Sequence, residues 1–132
     1  NFGTHGSTYG GNPLACAVAE VVVDHISDPQ VLSAVADKHK LFAQGIEAIN
    51  AKYNIFQDTR GLGLLIGVEL IEKWQGKAAL FMAAAREQGL MMLVAGPKVL
   101  RFAPSLIIDD ADITEGLAKL DAAIAQVIAQ ED

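Results

Sequence analysis

Four glycines (Gly3, Gly6, Gly10, Gly11) and three aliphatic hydroxyls (Thr4, Ser7, Thr8) share residues 1–11. Glycine lets a backbone come close to an anion, and Ser7 and Thr8 add O–H donors. Asn12-Pro13 follows at once and marks a helix N-terminus, with its partial positive charge. Together these features suit phosphate. The string is neither a Walker A motif nor a GxGxxG placed after a strand, so neither nucleotide reading holds. The competing reading is an ordinary glycine-rich connector.

Arg101, in Leu100-Arg101-Phe102-Ala103-Pro104-Ser105-Leu106, is the second candidate. A guanidinium inside an apolar strand is expected to be partly buried and to need an anionic partner. Two roles meet that need: a bidentate fork for a substrate carboxylate, or a structural ion pair. The residues alone favour neither. Arg60 precedes a glycine-rich strand and reads as a structural pairing residue. His5 is read as a solvated loop histidine, and His25 and His39 as core or surface positions on helices. Cys16, on an apolar helix, reads as a small buried hydrophobe. Met82, Met91 and Met92 read as core. No His, Cys and carboxylate cluster has metal-ligand spacing, and no Ser-His-Asp arrangement is supported.

The elements that must position these residues follow from the patterning. Asn12 caps a helix from Leu14 to about Ile26, polar only at Glu20 and Asp24 and so expected to be buried on most sides. Asp28-Pro29 repeats the start signal. Val31, Val35, His39, Phe42, Ile46 and Ile49 then form one stripe of an amphipathic helix ending near Tyr53. From Leu62 the period becomes two: Leu62, Leu64, Ile66, Val68 and Leu70 share one side of a strand. Gly61, Gly63 and Gly67 lie on the other side and allow a neighbouring element close approach. A helix is expected over 76–88, with Gly89 as its C′ residue. Short strands are expected at Leu90–Val94 and Val99–Phe102, around Gly96-Pro97. Asp109 or Asp110 opens a last helix whose buried stripe is Ile113, Leu117, Leu120, Ile124 and Val127. The order predicts an α+β layer, a short sheet covered by helices on one face.

Composition narrows the function. With 132 residues and 52% hydrophobic content, the chain can bury a core. A net charge of −6 without a basic cluster argues against nucleic acid and anionic membranes as partners. One cysteine excludes an internal disulfide framework. No run approaches a membrane span, and residues 1–4 lack a signal-peptide n-region, so a cytoplasmic protein or a piece of one is expected.

The string His5-Gly6-Ser7-Thr8-Tyr9-Gly10-Gly11-Asn12-Pro13-Leu14-Ala15 resembles the phosphate-loop signature of class III, pyridoxal-phosphate-dependent aminotransferases. Arg60-Gly61-Leu62-Gly63-Leu64-Leu65-Ile66-Gly67 is similar to that family's RGxGLLxG strand, and Arg101–Leu106 to its RFAPSL strand. Three motifs in the family's order, over essentially the whole chain, make the resemblance specific. The best fit is the acetylornithine/succinylornithine branch, with ornithine aminotransferase a near neighbour.

The resemblance carries further implications. The chain matches the C-terminal part of a fold-type I pyridoxal-phosphate transferase. Residues 1–27 would be the phosphate-binding loop and interdomain helix of a large domain, and residues 28–132 a small C-terminal α+β domain. Thr8, with Ser7 beside it, would bind the cofactor phosphate in the active site of the other subunit of a homodimer. Ser7 would also touch substrate. Arg101 would bind the substrate α-carboxylate, and Gly61, Gly63 and Gly67 would be structural. The family's cofactor-bearing lysine, pyridinium-pairing aspartate and stacking aromatic all lie upstream, so no catalytic residue is expected in this chain and it should be inactive alone. The implied reaction moves the ω-amine of N-acetyl- or N-succinylornithine to 2-oxoglutarate, in arginine metabolism. The alternatives are another class III enzyme, acting on ornithine or 4-aminobutyrate, or a non-catalytic domain of the same fold. The intact Gly6–Pro13 loop together with Arg101 argues against the last.

Overall fold

The computed structural model describes residues 6–131, in two compact units that part between Ser33 and Ala34. The first unit holds the glycine-rich loop and helix α1, Pro13–Ile26. Asn12 caps α1 as expected: its backbone is extended, and its Oδ1 accepts the Ala15 N–H at 2.9 Å. The burial expected for α1 is not found. None of its residues is buried, Leu14 is 76% exposed, and Cys16 is exposed rather than a small core residue. A helix that is apolar all round needs a covering surface, and its own unit supplies none.

Asp28 opens helix α2, Pro29–Tyr53, by accepting the Gln30 N–H at 2.7 Å. The boundary between the two units falls inside this helix. Within the second unit, Phe42, Ile46 and Ile49 turn into the core, at the expected three- and four-residue spacing. Asn50 then fastens the end of α2 to the first strand. Its Oδ1 accepts the N–H groups of Ile55 and Phe56 at 3.0 and 2.8 Å, and its Nδ2 donates to the Phe56 carbonyl at 3.0 Å.

Four antiparallel strands follow, in spatial order β1-β2-β4-β3. They are β1 Phe56–Leu62, β2 Leu65–Leu70, β3 Leu93–Ala95 and β4 Val99–Phe102. The single strand expected from Leu62 is a hairpin instead. Gly63, at φ +56°, turns the chain so that Leu62 ends β1 opposite Leu65 of β2. Leu62 is therefore 91% exposed, while Ile66, Val68 and Leu70 face the core as expected. β1 escaped the pattern because it is a sheet-edge strand with only Phe56 buried, so no alternation appears in its sequence. Gly61 meets the close approach expected of it: a Cβ there would stand 2.2 Å from the Leu65 carbonyl oxygen.

Helix α3, Ala78–Glu87, ends at Gly89, whose φ of +76° marks the C′ position foreseen. β3 begins at Leu93 rather than Leu90, and β4 has the expected limits. Helix α4, Asp110–Glu131, buries Ile113, Leu120, Ala123, Ile124 and Val127. Met92 is in the core and Met82 packs against it, but Met91 is 95% exposed. The two neighbouring side chains point opposite ways, Met92 inward and Met91 outward. Helices α2, α3 and α4 contribute with one sheet face to a single apolar core, which is the α+β layer expected. The other sheet face carries Arg60, Glu69 and Arg101.

Candidate functional site

The loop of the first unit is closed by its own side chains. Ser7 Oγ accepts the N–H groups of Gly10 and Tyr9 at 3.0 and 3.3 Å. A Cβ on Gly10 would lie 3.2 Å from that of Ser7, and Gly11 turns at φ +78°. Asn12 Nδ2 donates to the Tyr9 carbonyl at 2.5 Å. The amides of Tyr9 and Gly10 are thus spent inside the loop. The Ser7 hydroxyl hydrogen and the exposed Thr8 hydroxyl, for which no partner occurs among the described residues, remain as donors for an anion. Helix α1 begins just beyond, with no acidic residue in its first turn to oppose an anion. Residues 1–33 contain neither Lys nor Arg. Any phosphate held here is gripped by hydroxyls and a helix end, and its counter-charge comes from elsewhere. Gly3, Thr4 and His5, which complete the motif, lie outside the described residues.

Arg101 belongs to the second unit and is exposed, not partly buried as expected. The strand period explains this: Leu100 and Phe102 take the core side of β4, which turns Arg101 to the open face. Across the sheet, the register aligns Arg60, Gly67, Arg101 and Leu93 in one row. No ion pair involves Arg101 among the described residues. Of the two roles open to it, a structural pair within this chain is therefore absent among those residues. Arg60 does pair structurally, as expected: its Nη1 reaches Asp58 at 2.6 Å and Glu69 at 2.8 Å. Those bonds, Glu69's first and Asp58's second, hold its guanidinium charged even above its ordinary range. The two arginines flank one glycine on one face, yet only Arg60 is neutralised.

Sequence reasoning missed the anchor role of His39. Its Nδ1 lies 2.6 Å from the Gly63 carbonyl. A carbonyl only accepts, so the proton sits on Nδ1, and the bond ties α2 to the hairpin turn. The one signal was the place of His39 on the apolar stripe of α2. No group of side chains fit to hold a metal occurs among the described residues, and no helix is long and apolar enough to cross a membrane.

A family model described as aminotransferase class-III matches residues 1–124 of the chain. The chain belongs to the class III aminotransferases. It is 59% identical over 126 residues to acetylornithine aminotransferase of Vibrio parahaemolyticus, covering 96% of this chain and 31% of that protein. It is 57% identical, with the same coverage, to acetylornithine/succinyldiaminopimelate aminotransferase of Yersinia pestis. The crystal structure of N-acetylornithine aminotransferase from Stenotrophomonas maltophilia superposes with a TM-score of 0.88 at 42% identity, covering 92% of this chain and 33% of that one. The chain therefore spans about a third of the length of the relatives it matches. Within the class III fold, Ser7 and Thr8 stand in the loop that leads into α1 and Arg101 on an open sheet face.

Proposed function

We propose that this chain supplies two anion grips to a pyridoxal-phosphate-dependent ω-aminotransferase that moves the ω-amine of N-acetyl- or N-succinylornithine to 2-oxoglutarate. The observation that carries this reading is Arg101: a guanidinium on an open sheet face, without an ion-pair partner among the described residues, beside an arginine that has two. Such a group accepts a planar carboxylate bidentately at little cost, because no existing pair must be broken. Both substrates and both products of the reaction carry an α-carboxylate for it to orient.

Ser7 and Thr8 form the other grip. The Ser7 oxygen is held by the Tyr9 and Gly10 amides, so its hydrogen is free to donate outward. Thr8 adds a second hydroxyl, and the start of α1 adds its dipole. These residues fit the phosphate end of pyridoxal phosphate, and Ser7 also serves the substrate. Bound in the complete enzyme, the cofactor supplies the electron sink for amine transfer, and the protein supplies orientation and charge. A loop without a cation of its own suits a site shared between subunits, so the working unit is a homodimer, with Ser7 and Thr8 serving the partner's site. Residues 1–27 act as part of the large, cofactor-binding domain, and residues 28–132 as the small domain that presents Arg101. The enzyme is cytoplasmic, and the cofactor-bearing lysine comes from the rest of it. The relatives' names differ in the acyl group and in the amino acid that bears the amine. That agrees with recognition here of the shared carboxylate.

The test uses a chimera in which this chain replaces the matching stretch of the Vibrio parahaemolyticus enzyme. One variant carries Ser7→Ala with Thr8→Ala, and a second lacks the cofactor-bearing lysine. Each alone is expected to be nearly inactive. Subunit exchange restores activity if the loop serves the partner's site. With hybrid dimers shown to form, no restoration refutes the shared site.

A further inference from the structure

A cavity of about 350 Å³ opens at the end of the sheet where β3 and β4 stop pairing, against helices α2 and α4. Phe42, Met92, Phe102, Ile113, Leu117 and Leu120 line it, so it is apolar and offers water few partners. Its size suits a small organic group. Met91 borders it and is 95% exposed, which carries the apolar surface out onto the rim. The acid on the rim is Asp112, exposed and without an ion pair among the described residues. Arg101 borders the cavity but belongs to the opposite sheet face and takes no part. The wall also includes Gly116, in the interior of α4. Glycine weakens a helix interior relative to alanine, and nothing in this unit demands it there. A Cβ at Gly116 would meet only Leu90, at an ordinary 3.6 Å. Gly45 is the contrast, since a Cβ there would overlap the Leu117 side chain. Gly116 therefore keeps open a space that its own unit does not fill.

We infer that this cavity seats one large apolar side chain, with a lysine or arginine beside it, from the part of the enzyme's own polypeptide that lies outside residues 1–132. The chain spans about a third of the length of the relatives it matches, so most of such a protein is available to supply the occupant. A concave apolar pocket fits a single protruding anchor, and Asp112 on the rim sets the charge of the anchor's neighbour. A second copy of this stretch is a poorer occupant. A pocket on one copy filled by a different surface of another is a head-to-tail contact, which does not close a dimer. A free apolar ligand would leave Asp112 without a partner. The seat goes beyond the two anion grips: it rests on the chain being part of a longer aminotransferase, and on neither grip.

The chimera with the Vibrio parahaemolyticus enzyme tests the seat in a complete protein. Met91 is replaced by the photoreactive residue p-benzoylphenylalanine, and cross-linked peptides are identified by mass spectrometry. Irradiation is expected to join position 91 to a segment outside the 132-residue stretch, at an apolar residue next to a Lys or Arg. Cross-links confined to that stretch in either subunit, or none, overturn the proposal. A second variant, Met91→Cys, is treated with iodoacetamide. Its alkylation should be at least about tenfold slower in the folded chimera than in urea; equal rates overturn the proposal. Gly116→Met, added to Met91→Cys, fills the cavity from α4 and should bring alkylation back toward the rate in urea, with circular dichroism showing that the protein stays folded. Asp112→Lys should act in the same direction, by repelling the basic neighbour. Indifference of the rate to either substitution overturns the seat. Transamination is measured in parallel: an active chimera without the cross-link overturns the seat and leaves the transaminase reading standing.

Discussion

Replacing Gly61 by Ala forces two backbones apart at the hairpin that sets the open sheet face. A Cβ at Gly61 would lie 2.2 Å from the Leu65 carbonyl oxygen and 3.0 Å from the Ile66 Cα, both main-chain atoms that no rotamer change can move. β1 must lift from β2 there, which disrupts the Gly61–Ile66 and Leu62–Leu65 pairings. Each backbone group left without a partner costs about 1–3 kcal/mol, so two give roughly 2–6 kcal/mol. At about 4–8 °C per kcal/mol for a unit of this size, the melting temperature should fall by more than about 8 °C. Gly76→Ala is the control: its φ is +91°, but nothing lies within 4 Å of a Cβ there, so it reports backbone strain alone, about 1 kcal/mol. Circular dichroism melts of both variants and the parent provide the measurement. If Gly61→Ala melts no lower than Gly76→Ala, the close approach of β1 to β2 is not what requires glycine, and the reasoning fails.

Asn50→Ala removes three hydrogen bonds around the buried Ile55 and Phe56. Urea denaturation should show a loss of about 2–4 kcal/mol; a loss under about 0.5 kcal/mol, the level of a neutral surface change, would contradict the anchor role. The Asp121 carboxyl is held below its ordinary range by Tyr53 first and Lys52 second. A depressed carboxyl contributes stability above its unfolded value, about 3.9, and loses it as pH falls through the lower folded value. Asp121→Asn should therefore cost up to about 1 kcal/mol at pH 7, a deficit that shrinks as the pH falls through the lowered folded value. A deficit that persists unchanged at pH 2 would show the effect is not electrostatic.

Most of the second unit was legible because its buried residues recur at the period of their element: Phe42, Ile46 and Ile49 on α2, and Ile66, Val68 and Leu70 on β2. β1 was not legible. With only Phe56 buried, Gln57–Arg60 look like loop, and the hairpin merged with one continuous apolar run. The misreading of Arg101 as partly buried came from its apolar neighbours in sequence, whereas the strand's period puts those neighbours on the opposite face. α1 and Cys16 failed for the converse reason, since hydropathy reports the need for a cover and not whether the described residues provide it. The grip residues Ser7, Thr8 and Arg101 were found by type and motif. That the loop spends the Tyr9 and Gly10 amides on Ser7, and that Asp58 and Glu69 neutralise Arg60 but leave Arg101, needed the geometry.

The most direct test of the account is the effect of Arg101→Ala in the chimera with the Vibrio parahaemolyticus enzyme, read as KM for 2-oxoglutarate alongside thermal stability. Loss of a charge-assisted carboxylate contact should cost roughly 2–4 kcal/mol and raise KM by about 30- to 1000-fold. Because Arg101 is exposed and makes no ion pair among the described residues, the melting temperature should stay within about 2 °C. An unchanged KM with a lowered melting temperature would make Arg101 a structural residue and contradict the carboxylate grip.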